Sequence, residues 1–205
     1  MIYFTSDTHF GSLRTLQFSK RPFLNTAEMD FTIMTNWNKT ITNNDIIYHL
    51  GDFGDYSLRS YLNGSIILIC GNYEYADIKK GLHFEDIKLY GFNEVSIADN
   101  YPLTKEQFIE FVDNEYKDIA PNCLYLTHEP EKCLKEYYDN TYEQTLPFDM
   151  TNLFNLFGHI HKLQMVRKYG LNVGTDCHNF KPISINDVLF YYNAIKNFYD
   201  KNVFE

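Results

Sequence analysis

The 205-residue chain lacks three things that would each have pointed elsewhere: a long apolar run, a leader segment and a paired-cysteine motif. No stretch is long enough to span a bilayer, and Met1 leads straight into Ile2-Tyr3-Phe4 without a charged region and apolar leader. These two absences predict a soluble, cytoplasmic protein with no membrane partner. The four cysteines, Cys70, Cys123, Cys133 and Cys177, form no CxxC pair, and Cys70 and Cys123 fall in apolar, strand-like runs. They are expected to be reduced thiols holding neither a disulfide nor a metal. A basic block is also missing, and the formal net charge of -9 is spread along the chain. Duplex nucleic acid therefore finds no obvious electrostatic footprint. No repeat, low-complexity tract or Pro/Gly/Ser linker divides the sequence, and its length suits one well-buried domain over residues 1–205.

What is present is a globular composition, 44% hydrophobic, with 17 Tyr and 17 Phe. Runs of β-branched and aromatic residues predict strands over 2–6, 45–50, 65–70, 122–127, 153–158, 163–168 and 171–174. Between them lie helical patterns. Thr26 can cap a helix in which Met29, Ile33 and Trp37 recur every four residues. Ser184 can cap another, carrying Val188, Leu189, Tyr192, Ile195 and Tyr199 on one side. This alternation predicts an α/β layered core. Residues 75–121 fit it less well: they suggest a helix over 105–117, weak strands near 87–90 and 94–98, and an elaboration that either overhangs a site or packs peripherally.

Short clusters of histidine, carboxylate, glycine and asparagine follow most of the predicted strands. They read Asp7-Thr8-His9, His49-Leu50-Gly51-Asp52, Gly71-Asn72, Thr127-His128 and Gly158-His159-Ile160-His161. In a strand, residues two apart share a face, so Asp7 with His9, and His159 with His161, are expected to converge by strand alternation. One such triplet arises by chance, whereas four or five clusters in a short chain rarely do. Oxygen and imidazole donors gathered at strand ends, without thiolate, suit a dinuclear site for Mn, Fe, Zn, Co or Ni better than one for Ca. Two divalent cations bring four positive charges against two from the candidate carboxylates, so an acidic protein can still attract an anion there.

The order and wording of these blocks resemble the calcineurin-like metallophosphoesterase family, whose blocks run Asp-x-His, Gly-Asp, Gly-Asn-His-Asp/Glu, a lone His and Gly-His-x-His. The resemblance runs from Asp7 to about Asp187 and is weakest through 75–121. Ser6-Asp7-Thr8-His9-Phe10-Gly11, Arg21-Pro22-Phe23, Trp37-Asn38 and Tyr48-His49-Leu50-Gly51-Asp52-Phe53 are similar to a bacterial and phage branch of it. It implies a layered β-sandwich flanked by helices, with a dinuclear metal site at strand ends. It further implies that Asp7, His9 and His161 hold one metal, that Asn72, His128 and His159 hold the other, and that Asp52 bridges them. Manganese is the metal expected from family habit. With two such ions, a bridging water loses a proton near neutral pH and attacks phosphorus in line.

At Gly71-Asn72-Tyr73-Glu74 the chain departs from the family, which has histidine after Gly-Asn. A phenol is a poor acid at neutral pH but can donate a hydrogen bond. Candidate replacements are Tyr73 itself, His49 orienting a ligand from behind, and His178 in Gly174-Thr175-Asp176-Cys177-His178-Asn179. Asn72 can both ligate through its carbonyl and offer an amide donor to a phosphate oxygen. Ser12 stands where branch members often have a second histidine, and Arg14 and Arg21 are candidate phosphate contacts. His83 receives no role. The leading expectation is hydrolysis of a small phosphodiester, cyclic or otherwise activated nucleotides included, because a good leaving group needs less acid. Alternatives are a phosphomonoesterase, a nuclease on short RNA or DNA whose bases stack on Tyr and Phe, and a metal-binding interaction protein weakened in catalysis.

Overall fold

Alternation along the first three strands sets the architecture. In the computed structural model, which describes residues 1–98, 100–135 and 152–204, β1 (Ile2–Thr5), β2 (Ile46–His49) and β3 (Ser65–Ile69) run parallel. Ile2, Phe4, Tyr48 and Ile69 enter one core cluster, whereas Ile47, Ile66 and Leu68 enter a second on the opposite face. A short helix α1 (Leu13–Phe18) and a long one, α2 (Thr26–Thr40), follow β1. Met29, Ile33 and Trp37 of α2 join the second cluster, so the predicted four-residue spacing does bury one face. The N-cap is Asn25, one residue before the predicted Thr26: its side chain accepts the Glu28 N–H at 2.9 Å.

β4 (Glu94–Ser96) extends the sheet in parallel and β10 (Ile183–Ser184) closes its other edge antiparallel, giving the order β10-β1-β2-β3-β4. The second sheet has the order β5-β6-β7-β9-β8, from β5 (Tyr101–Thr104), β6 (Cys123–Leu126), β7 (Leu153–Phe157), β8 (Val166–Arg167) and β9 (Gly170–Asn172). β6, β7 and β9 are parallel, with antiparallel edges. Leu124, Leu126, Phe154, Leu156 and Leu171 meet Ile2, Phe4 and Leu50 in the first cluster, so the two mixed sheets share one interior. Ser184 caps the last long helix as predicted, exchanging bonds with Asp187. The protein is thus a mixed α/β structure with two sheets flanked by helices.

Several sequence expectations need correction in the middle segment. After α3 (Asn72–Lys79), residues 84–88 form a helix, α4 (Phe84–Lys88), in place of the weak strand at 87–90. The expected helix over 105–117 breaks into α5 (Lys105–Phe108), a 3-10 turn and α6 (Asn114–Lys117). It breaks because Val112 turns extended to bury itself and Asp113 starts the next helix. Pro102 hid β5, yet an edge strand tolerates proline. Leu103, Phe108, Val112 and Ala120 lie in the shared core, so the second part of this segment contributes to the interior. Strand 163–168 shrinks to β8. The last long helix is α7 (Ile185–Phe198). Among the described residues no helix is long and apolar enough to cross a membrane. All four cysteines are free.

Candidate metal centre

Every cluster singled out in the sequence lies at or just beyond the C-terminal end of a parallel strand: β1, β2, β3, β6 or β7. That edge is where open α/β sheets place ligand sites, because the connecting loops there are free of ladder bonds. Backbone hydrogen bonds zip the loops together. Asp7 N–H donates to Gly51 O, His9 N–H to Asp52 O and Gly158 N–H to His128 O, each at 3.0 Å.

The convergence of Asp7 with His9 and of His159 with His161 does not come from strand alternation, as the sequence suggested. Both strands have ended, and these four residues and Asp52 take left-handed backbone angles, with φ between 50° and 70°. Asp and His are among the side chains that tolerate this region best, although it still costs about 1 kcal/mol or more per residue. Their loops therefore need firm support. Gly51 and Gly158 supply part of it by close approach. A Cβ on Gly158 would overlap Ser6 Oγ and Asp7 Oδ2, and Gly51, at φ +87°, is packed against the Gly71 backbone.

The donors face one another. Donor atoms of Asp7, His9 and His161 lie within 4.8 Å of one another, as do those of Asp7, Asp52 and His128. Asp52 stands between the two groups, Oδ2 3.5 Å from His9 Nε2 and Oδ1 3.5 Å from His128 Nε2. His159 Nδ1 lies 3.3 Å from His128 Nε2. Ligand atoms each about 2.1 Å from one tetrahedral ion sit about 3.4 Å apart, so these separations suit shared cations. Asn72, the exposed first residue of α3, lines the same pocket as His9, Asp52, His159 and His161.

Orphaned atoms make the stronger test of fit. Asp7 Oδ1 and both ring nitrogens of His9 are buried with no hydrogen-bond partner. A buried polar atom left unpaired costs about 1–3 kcal/mol, and a cation that took Asp7 Oδ1 and one ring nitrogen of His9 would account for two of the three. Other polar atoms of these residues are already engaged. Asp7 Oδ2 accepts the His159 N–H at 2.9 Å, His128 Nδ1 donates to Leu50 O at 2.6 Å and His161 Nδ1 meets Asp176 Oδ2 at 2.9 Å. Each bond leaves the other nitrogen or oxygen for a metal, which fixes the tautomer. Burial pushes the Asp7 carboxyl up, but the surrounding imidazoles of His9, His128 and His161 more than offset this and hold it well below the usual carboxylate range.

Three residues that sequence reasoning passed over hold this arrangement. Glu74 is fully buried and accepts N–H bonds from Asp52 and Gly71 on Oε2 and from Phe53 on Oε1, at 2.8–2.9 Å. It clamps the Gly51-Asp52 loop to the start of α3. Burial, then the Asp52 charge, push its carboxyl up, and the three donors pull it back. Asp176 accepts from both His161 and Arg21. Asn172 donates to His161 O and Gln164 O, tying down the Gly-His-x-His loop. Glu74→Gln keeps the shape but turns one acceptor into a donor facing an N–H. The expected loss is about 1–3 kcal/mol in urea unfolding, with weaker manganese binding because Asp52 is released. Unchanged stability and affinity would remove Glu74 from this role.

The candidate acids separate. Tyr73 lines the pocket, its ring edge-on to His9 at 4.6 Å and its hydroxyl 3.5 Å from Thr15 Oγ1. His49 lies behind the site, fully buried. The Thr8 hydroxyl donates to Phe53 O at 2.9 Å and so must accept the His49 Nε2 proton at 3.0 Å. Burial lowers its pKa to about 3, which keeps it neutral. His178 is not brought into the pocket: Nε2 bonds Asn172 O at 2.7 Å. Arg21 is not a phosphate contact, being buried against Asp176. Arg14 does line the pocket, whereas Ser12 caps α1. Among the described residues of 75–121, Ala76 alone lines the pocket, so they form no overhang.

No family model matches the chain. A 99-residue stretch is 36% identical to the uncharacterized protein MJ1445 of Methanocaldococcus jannaschii, covering 44% of this chain and 54% of that protein. The match thus spans about half the length of the relative. The crystal structure of AQ665, a protein of unknown function from Aquifex aeolicus, superposes with a TM-score of 0.55 at 19% identity, covering 89% of this chain and 94% of that one. This is a likeness of fold alone.

Proposed function

We propose that this chain is a calcineurin-like metallophosphoesterase that hydrolyses small phosphodiesters, cyclic or activated nucleotides among them, with two divalent transition-metal ions, manganese first. The observation that supports this reading is the set of orphaned, buried donors on Asp7 and His9, ringed by Asp52, His128, His159 and His161. Asp7, His9 and His161 would hold one ion and Asn72, His128 and His159 the other, with Asp52 between them. Such ions supply Lewis acidity toward phosphate oxygens and acidify a water. Leu50 O and Asp176 keep His128 and His161 in the tautomer that presents Nε2. Tyr73 offers a hydroxyl hydrogen bond from the pocket wall in place of an imidazole acid. Because phenol is a weak acid, substrates with good leaving groups are favoured. Free thiols suit a reducing cytoplasm.

Metal-stripped protein is expected to be inert toward bis-p-nitrophenyl phosphate and p-nitrophenyl phosphate, and to regain turnover on adding manganese, faster on the diester. Faster turnover of the monoester would overturn the diester preference. Manganese binding with neither ester cleaved would favour the binding-protein reading.

A further inference from the structure

The pocket over the candidate centre encloses about 700 Å³, within the range of about 300–1,000 Å³ that holds a whole small ligand and far more than a phosphate group needs. Its far walls have a definite chemistry. Arg14, Phe18 and Lys20 line one wall, and Lys162 and Leu163 another. Arg14 and Phe18 are one helical turn apart on α1 and so share a face. Phe18 is 76% exposed and Leu163 83% exposed, unusual for large apolar side chains at a pocket mouth. The Phe18 ring lies edge-on to His161, 6.5 Å away.

The cations are equally unspent. In a chain of net charge -9, the ion pairs among the described residues involve the N-terminus with Asp45, Arg21 with Asp176, Lys80 with Asp77, and Lys132 with Glu129, besides contacts of histidine. Arg14, Lys20 and Lys162 have no carboxylate partner there. The exposed lining is mostly apolar with cationic side chains among it, which suits a ligand that combines flat bases with phosphates.

We infer that the substrate is a dinucleotide-sized diester: its scissile phosphate lies over the candidate metal centre, a second phosphate meets the Arg14, Lys20 and Lys162 cations, and a base packs on Phe18. This rests on the phosphoesterase reading and deepens it. The sugar alkoxide is a poorer leaving group than p-nitrophenolate, so dinucleotides are expected to turn over more slowly than bis-p-nitrophenyl phosphate, and the subsite is read by comparing two dinucleotides with the same leaving group.

The test compares 5′-phosphorylated dithymidylate, pdTdT, with dTpdT, which has the same diester and no second phosphate. With manganese-loaded protein, kcat/KM is expected to favour pdTdT by about tenfold, and the Arg14→Ala/Lys162→Ala double variant to erase the preference. Phe18→Ala is expected to raise KM for both dinucleotides by about tenfold. Calorimetric titration of pdTdT into metal-free protein reads the subsite without catalysis. Binding of pdTdT should weaken less with added salt in the double variant than in the parent, because two of the cations that meet the second phosphate are gone. Equal kcat/KM for the two dinucleotides, alongside manganese-dependent cleavage of bis-p-nitrophenyl phosphate, would overturn this inference and leave the phosphoesterase reading standing. Salt-sensitive binding of pdTdT without cleavage of any diester would overturn the phosphoesterase reading and, with it, the claim that this ligand is a substrate, leaving only a phosphate-and-base binding subsite. Neither binding nor cleavage would overturn both.

Discussion

Asp52→Ala is expected to lower manganese-dependent diester turnover by about a thousandfold or more, since metal stabilisation of the transition state is worth several kcal/mol. The expectation comes from where its two oxygens point: one toward His128, the other toward His9, each at 3.5 Å. Asp7 also approaches both imidazoles, but its Oδ2 already accepts the His159 N–H, which leaves it one oxygen. Alanine alone leaves an ambiguity, because position 52 has φ +58° and alanine pays more than aspartate to hold it. Asp52→Asn removes that ambiguity. It keeps the tolerance for this backbone and one acceptor for the Tyr73 N–H, and removes the charge together with the second oxygen. Metal-free Asp52→Asn should unfold at the same temperature as the parent or higher, since Asp52 adds its charge to that of buried Glu74 nearby. Manganese should raise the melting temperature of the parent more than that of the variant, because a ligand stabilises by its affinity for the folded state. If both variants keep manganese-dependent hydrolysis within about tenfold of the parent, Asp52 does not bridge metals and the proposed arrangement fails.

The parts of this site that were legible in the sequence share one physical property: they are local. β1, β2 and β3 lie inside the sheet, so they read as nearly unbroken apolar runs, and the donor clusters follow directly on them. Chain order alone then brings Asp7, Asp52, Asn72, His128 and His159 to one edge. The manner of their convergence was not legible. Alternation in a strand and a left-handed loop both put residues two apart on one side, and the triplets Asp7-Thr8-His9 and His159-Ile160-His161 look the same in either case.

Support from a distance was still less legible. Asp176 lies 155 residues from Arg21, and nothing in either neighbourhood announces the pair. Arg21 therefore read as a free cation near an anion site, when it is an interior strut. His178 erred in the same way: a histidine in a glycine-rich turn resembles a site residue until the Asn172 carbonyl is seen to occupy it. Glu74 had a hint, standing at the third position of α3, where a carboxylate reaches back to cap the helix. That its other bonds go to Asp52 and Phe53 depends on how β2 and β3 align.

Arg21→Met is expected to cost about 3–5 kcal/mol of stability, the usual result of breaking a buried ion pair from one side, out of about 5–15 kcal/mol for a whole domain. The guanidinium reaches Asp176 through Nε at 3.0 Å and a terminal nitrogen at 2.7 Å, a bidentate pair. The same group donates to Thr8 O at 2.9 Å and Asp7 O at 2.6 Å. It thus holds the left-handed Asp7-Thr8-His9 loop and, through Asp176 and His161, the loop after β7. Methionine fills the space but leaves those carbonyls and the Asp176 charge unanswered. Arg21→Lys should recover little, because one ammonium cannot satisfy four acceptors set out for a planar fork. Pairing Arg21→Met with Asp176→Leu separates stability from site geometry. Removing both charges should restore part of the lost stability, as apolar replacement of buried pairs does. Manganese affinity should stay about 10–100-fold weak, because His161 has lost the acceptor that orients its ring. Urea unfolding and competition titration with a chelator read the two quantities independently. A single Arg21→Met variant within about 1 kcal/mol of the parent would show that the loops hold themselves, and a double variant with full manganese affinity would show that Asp176 does not orient His161.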